Sequence, residues 1–293
     1  MNRLILQIGN WMFLGMILVF WPSSKTEFSP VPLTTANLPV IFSSELTPFE
    51  CTPNFYQVIR SNGMLVRYNA LDLAGGWEVI NRFGYRVDAL AYNPVDNFMY
   101  AIRFSDDHLL RIGQDGNFQD LGSLDLPNLF YHVGEFDPQG RYYIKGIGKD
   151  ASDELAAYRI DMVNETIDLI STSEVFKPGD WSYNYADDHL YGVDRDTLYR
   201  LNPITGNIDK RAITGILDYD LPSFFGSAMS AANGTLFVYN QGSGNIYRIE
   251  PESSEAILVS RSLGEGIFSD GASCPFADAP LPLVVAKQDA VST

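Results

Sequence analysis

The chain has 293 residues, 46% of them hydrophobic, and a formal charge of −16. At this length about three quarters of the unfolded surface can be buried, so a core needs neither metals nor many disulfides, and the hydrophobic fraction argues against disorder. The acidic balance excludes a broad nucleic-acid face, which requires cations against phosphate, and adhesion to anionic lipid.

The first element is a targeting segment. Arg3 precedes a mostly apolar run over 4–20, interrupted by Gln7 and Asn10. Its densest part, 12–20, has the length of a signal-peptide core. No Ala-x-Ala cleavage site follows, and Pro22-Ser23-Ser24 marks the helix end. Residues 1–24 therefore read as a signal peptide; the alternative is an uncleaved anchor, because the run is barely long enough to span a bilayer. The remainder reads as exported, secreted or at the cell surface, with the periplasm as the alternative. No second run of membrane length occurs, so no membrane insertion of the mature domain is expected. Residues 25–50 are rich in Pro, Ser and Thr and read as a linker.

Repeats begin at Cys51. An Arg between apolar residues recurs five times, at Arg67, Arg111, Arg159, Arg200 and Arg248. A second pattern runs ahead of it: Tyr56, Met99-Tyr100, Tyr142-Tyr143, Leu190-Tyr191 and Leu236-Phe237. The spacing of roughly 40–50 residues is that of propeller blades. Between the patterns lie hairpin turns such as Asn93-Pro94-Val95-Asp96-Asn97, Asp137-Pro138-Gln139-Gly140 and Ala232-Asn233-Gly234, where Asn and Gly accept positive φ and Pro fixes a corner. The flanking runs alternate polar and apolar residues or are rich in β-formers, and no long helix is expected. One helical turn is expected over 152–157. Four complete units occupy 87–122, 132–173, 179–214 and 226–263. A fifth is split, with outer strands at 55–59, 64–71 and 77–82 and its innermost strand at 266–273. The expected fold is all-β, a five-bladed β-propeller closed by pairing of N- and C-terminal strands; the alternative is six blades. The domain spans 51–274, with 275–293 as a tail.

Cys51 and Cys274 are the only cysteines and flank this region. In an exported chain that placement predicts a disulfide, against the alternative of two unrelated thiols.

The run Leu198-Tyr-Arg-Leu-Asn-Pro-Ile-Thr-Gly206 resembles secreted bacterial propellers of the YVTN/YWTD/NHL-like group. The series from Cys51-Thr-Pro-Asn-Phe-Tyr, through Ala89-Leu-Ala-Tyr-Asn-Pro and Gly134-Glu-Phe-Asp-Pro, to Ser269-Asp-Gly-Ala-Ser-Cys274 is similar to a domain of unknown function in bacterial exported proteins. The resemblance implies a propeller and carries no activity to any residue.

Aligning the units on the Tyr pattern puts Asp88, His132, Asp180, Ser227 and Asp270 at equivalent starts of inner strands, near the ring axis. Three carboxylates there could bind Ca²⁺ or, as Asp88, Asp180 and Asp270, act as the acid, base or orienting groups of a glycosidase. The structural alternative is that each caps a turn or binds amides of a neighbouring strand. Trp181, Tyr183 and Tyr185 share one strand face, suited to sugars or peptides at a cleft or to packing between blades. Trp77, on an outer strand, reads as core. Each repeated Arg is expected to pair with a carboxylate or carbonyl of a neighbouring blade. His108, His132 and His189 show no zinc spacing, and no nucleophile elbow, phosphate loop or dinucleotide fingerprint is present. The site expectation is ligand binding by Asp88, His132, Asp180, Trp181, Ser227 and Asp270, without a cofactor unless Ca²⁺ binds. The expected function is a monomeric binding module for a glycan or protein. The alternatives are a polysaccharide hydrolase or lyase at the axial mouth and a structural scaffold.

Overall fold

The structure, a computed structural model, describes residues 45–148, 155–222, 224–261 and 268–278. The expected signal peptide, the expected linker up to residue 44 and the tail from 279 lie outside the described residues.

Among the described residues twenty strands form five four-stranded antiparallel sheets. The first complete blade holds β4 (Val87–Asn93), β5 (Phe98–Arg103), β6 (His108–Ile112) and β7 (Phe118–Ser123). The second holds β8 (Leu129–Phe136), β9 (Arg141–Gly148), β10 (Leu155–Asp161) and β11 (Thr166–Ile170). The third holds β12 (Ser182–Asn184), β13 (His189–Asp194), β14 (Thr197–Leu201) and β15 (Ile208–Ala212), and the fourth β16 (Phe225–Ser230), β17 (Leu236–Asn240), β18 (Ile246–Glu250) and β19 (Glu255–Ser260). The fifth is composite. The last strand, β20 (Ser269–Ser273), pairs antiparallel with β1 (Asn54–Ile59), which is followed by β2 (Met64–Asn69) and β3 (Trp77–Arg82). The protein is a five-bladed β-propeller, closed by its two ends. Cys51 and Cys274 form a disulfide at that seam, with Cα atoms 5.3 Å apart.

The expected helical turn over 152–157 is corrected where it is described: Leu155 to Ala157 belong to β10, in register with Ile147 to Lys145 of β9. Among the described residues the one helical element of the ring is a short 3-10 turn, Leu73–Gly75, and no helix is long and apolar enough to cross a membrane. Within the stretch read as linker, Phe49 is buried, and its N–H donates to the Asn97 carbonyl at 2.7 Å.

Strand alternation builds the core. Successive side chains point to opposite faces, so each sheet feeds two junctions. Tyr56 and Val58 of β1 pack against Leu90, Tyr92 and Met99 of the first blade, whereas Phe55 and Ile59 pack against Met229 and Phe237 of the fourth. The buried apolar residues accordingly fall into five clusters among the described residues, one at each blade junction.

The two repeated patterns are cross-strand partners. In register, Tyr56 faces Arg67, Tyr100 faces Arg111, Tyr143 faces Arg159, Tyr191 faces Arg200 and Phe237 faces Arg248. The expected pairing of these arginines between blades is corrected: each meets an acid of its own sheet. Arg67 pairs with Glu78, Arg111 with Asp96, Arg159 with Asp168, Arg200 with Asp187 and Asp209, and Arg248 with Glu250. The third strand of a blade puts its Arg beside the fourth strand or above a hairpin turn of the same blade, where four of those five arginines find their acids; Glu250 stands two residues beyond Arg248 on β18 itself.

Candidate functional site at the ring axis

The inner strands β4, β8, β12, β16 and β20 enclose the axis, β4 packing against β8 and β20 and β16 against β20 and β12. Small residues let them approach. A Cβ at Gly134 would fall on the Ala89 carbonyl, and one at Gly271 on Ser227 and Met229. Three of these strands are bulged near their entry: β4 between Asp88 and Ala91, β8 between Tyr131 and Val133, and β16 between Phe225 and Ser227. Bulges release backbone groups from the ladder and re-aim them. Ala89, at φ 54°, lies within the first.

Those released groups receive the axial side chains. Asp88, fully buried, is held by Arg60 Nε at 2.6 Å and Arg86 Nη2 at 2.8 Å. Arg60 also donates to the His132 carbonyl at 3.0 Å, so a side chain of the composite blade clasps the first and second. The Asp180 carboxylate accepts from the N–H of Trp181 and Ala228, at 2.8 and 2.7 Å, and from Gly271 N–H at 3.3 Å. The Leu90 N–H donates to Asp270. The Tyr142 hydroxyl donates to the Ala89 carbonyl. Ser227 accepts from Gln57 at 2.9 Å and lies 2.9 Å from the Ser269 hydroxyl. The Ser182 hydroxyl donates to Glu135 at 3.0 Å, and Lys145 donates to the Pro178 carbonyl. Every blade junction thus carries a polar link beside the axis.

Burial dominates the electrostatics. It pushes the Asp88 carboxyl up, against the pull of Arg60 and Arg86. It pushes Asp180 up as well, opposed first by a hydrogen bond from Asp270. Asp270 is driven well above the carboxylate range by burial and then by the charges of Asp180 and Asp88. The charges of Asp180 and Asp270 act on each other, so the pair as a whole holds a proton at a pH where a free carboxyl has lost it. Burial pushes Glu135 up to about 8, pulls Lys145 down to about 8 and pulls His132 down to about 3.

The axis therefore brings together Asp88, His132, Asp180, Ser227 and Asp270, as sequence alignment of the units predicts. Of these, His132 keeps partial exposure; the others are buried. Trp181 belongs elsewhere: it is fully buried in the junction between the second and third blades, with its ring 5.6 Å from Phe176. The donor set does not fit Ca²⁺. The Asp88 carboxylate already meets two guanidiniums, Asp180 is taken by amides, and among the described residues no three His, Cys, Asp or Glu side chains form a metal-binding group. Sequence reading missed Gln57, Arg60, Glu135 and Lys145. Gln57 and Lys145 had a signal, each being a polar residue inside an apolar strand run; Arg60 sits in an irregular turn and had none.

A family model, the repeat of unknown function DUF6923, matches residues 79–276. The chain belongs to the DUF6923 repeat family. The matched span holds Asp88, His132, Asp180, Ser227 and Asp270, and leaves Cys51, Gln57 and Arg60 outside. Comparison with curated proteins gives no match. A chain from the crystal structure of a nidogen/laminin complex superposes with a TM-score of 0.53 at 15% identity, covering 77% of this chain and 82% of that one. A protein of unknown function from Bacteroides caccae gives 0.43 at 12% identity over 72% and 73%, and one from Bacteroides thetaiotaomicron VPI-5482 gives 0.48 at 10% over 74% and 59%. At such identities the first likeness is one of fold, and DUF6923 itself assigns no chemistry.

The expectation that Trp77 is core is corrected. Its side chain is 39% exposed on β3, beside a cleft of about 550 Å³ lined also by Asn54, Asn69 and Asp72.

Proposed function

We propose that this DUF6923 propeller is an exported binding module whose ligand is a glycan or a protein at the cell surface. The observation that carries the reading is the state of the axial carboxylates. Asp88, Asp180 and Asp270 are buried and engaged by guanidinium, amide or each other. A glycosidase needs two carboxyl groups free to reach a sugar from opposite sides at roughly 5–10 Å, and nothing here favours that alternative. What the axial groups supply is a stiff ring, and rigid scaffolds present loops for recognition. The Cys51–Cys274 disulfide supports an oxidising compartment, and a ring of this fold occurs in a nidogen/laminin complex. Probing a glycan array and cell-surface fractions with the purified chain tests the reading. The expected result is saturable binding to a defined ligand, with no release of reducing ends from polysaccharides. Blank screens at high protein concentration overturn it, as does sustained polysaccharide cleavage.

A further inference from the structure

The outermost strand of the composite blade begins with an exposed indole beside a cleft. Trp77 begins β3 opposite Tyr68, which is buried, yet Trp77 itself stays exposed. An indole is costly to leave in water at a position where the strand has no neighbour to cover it. The cleft of about 550 Å³ beside it has the volume of a small-ligand site. Its walls are pinned. Leu73 of the 3-10 turn is buried in the junction with the fourth blade, Asp72 Oδ1 accepts from Gly75 N–H at 3.1 Å, and Asn69 Oδ1 accepts from Leu71 N–H at 3.0 Å. Gly76, at φ 82°, has open space where a Cβ would stand, so the backbone leaves the approach to Trp77 clear.

The chemistry of the walls selects a ligand class. One flat aromatic face lies among planar amide, carboxylate and guanidinium groups: Asn54, Asn69, Asp72, and the Arg67–Glu78 ion pair. A ring that is apolar on one face and hydroxyl-bearing at its edges matches that set, stacking on the indole while its hydroxyls meet the polar rim. The local charge is one cation, Arg67, against two acids, Asp72 and Glu78, within a chain of −16. That balance disfavours uronates, sulfated sugars and phosphate, which an anion site would meet with surplus Arg or Lys.

We propose that the cleft at Trp77, between the end of β2 and the start of β3, is a binding site for neutral oligosaccharides. This rests on the binding-module reading and makes it specific. The test titrates the full chain with cello-, xylo-, manno- and chito-hexaose and with oligogalacturonate, by calorimetry and tryptophan fluorescence. At least one neutral sugar is expected to bind, and oligogalacturonate is not. Trp77→Ala should weaken binding at least about tenfold, as loss of a stacked aromatic does, and Trp77→Phe should retain part of it. The part of the fluorescence response that Trp77 carries should disappear in both, because Trp181 is buried and Trp11 and Trp21 belong to the expected signal peptide. Asn69→Ala, at the exposed end of β2, should weaken binding while lowering the melting midpoint only slightly, through loss of its bond from Leu71 N–H. Failure of all four neutral sugars overturns the site, as does binding of the acidic sugar alone. Unchanged affinity in Trp77→Ala places the glycan elsewhere on the ring: the site then falls while the module reading stands. A protein ligand found without any sugar binding has the same meaning.

Discussion

Glu135 illustrates how a single buried acid ties stability to pH. Its carboxyl is enclosed beneath Ser182, and burial pushes it up to about 8 from an ordinary 4.5. Between those values the unfolded chain releases a proton that the folded chain keeps, so stability falls as pH rises. His132 works the other way. Burial holds it down to about 3 against 6.5, so its effect is a gain of stability with rising pH that fades through 6.5 and is complete about a unit above it. From 6.5 to 8 that opposition dies away, Lys145, pulled down to about 8, opposes Glu135 only toward the top of the window, and the buried Asp180–Asp270 pair adds to Glu135 in the same sense. The melting midpoint is expected to fall over that window, and Glu135→Gln should flatten the fall while keeping a partner for Ser182. Thermal melts at pH 6.5, 7.2 and 8.0 check this; equal declines in both proteins contradict it. At this scale the sequence was informative only where a residue repeats. Asp88, Asp180 and Asp270 occupy matching places in the first, third and composite units and could be aligned. Arg60 matters through the His132 carbonyl that a bulge frees, and Glu135 through the Ser182 hydroxyl of the next blade, and no composition reveals either.

Two of the sheets repeat a motif in which Tyr on the second strand and Arg on the third meet one acid. In the first complete blade, Tyr100 Oη donates to Asp96 Oδ2 at 2.7 Å and Arg111 Nη2 approaches the same oxygen at 3.1 Å. In the third, Tyr191 and Arg200 share Asp187 at 2.8 and 3.0 Å. Each acid also lies in the hairpin turn before the Tyr strand, so the motif fixes hairpin and register together. Partly exposed ion pairs contribute little individually. A double-mutant cycle on Asp96→Ala and Arg111→Ala should return a coupling of about 0.5–1 kcal/mol, read by urea denaturation, whereas a cycle between Arg111 and an acid of another blade should return about zero. The two patterns were visible in the sequence, but their pairing was not, because register depends on turn geometry. Trp77 was misread for a related reason. Outer strands such as β7 and β15 are largely exposed, so an aromatic residue there follows the surface, not the core.

For the molecule as a whole, blade number was legible because the repeat count and the cysteine positions are separate observations of one closure. Whether the axis is open was not, since that depends on how closely glycines let the inner strands approach. The disulfide spans a separation of 223 residues; in the chain-entropy model such a crosslink contributes ~5 kcal/mol at most. The double substitution Cys51→Ser, Cys274→Ser should lower the melting midpoint and raise amide exchange first in β20 and β1, with the four continuous blades protected longer. Uniform exchange across all blades would contradict a seam that opens ahead of the rest.

Order of synthesis gives the composite sheet a temporal meaning. β20 lies some 200 residues downstream of the strand it joins, and until it emerges the Leu90 N–H, the inner edge of β1 and the first cysteine have no counterpart to meet. An emerging chain can fold four blades one after another, yet the first three strands it makes must wait for the last. A chain cut short before residue 269 is left with an open arc, a ring that cannot lock.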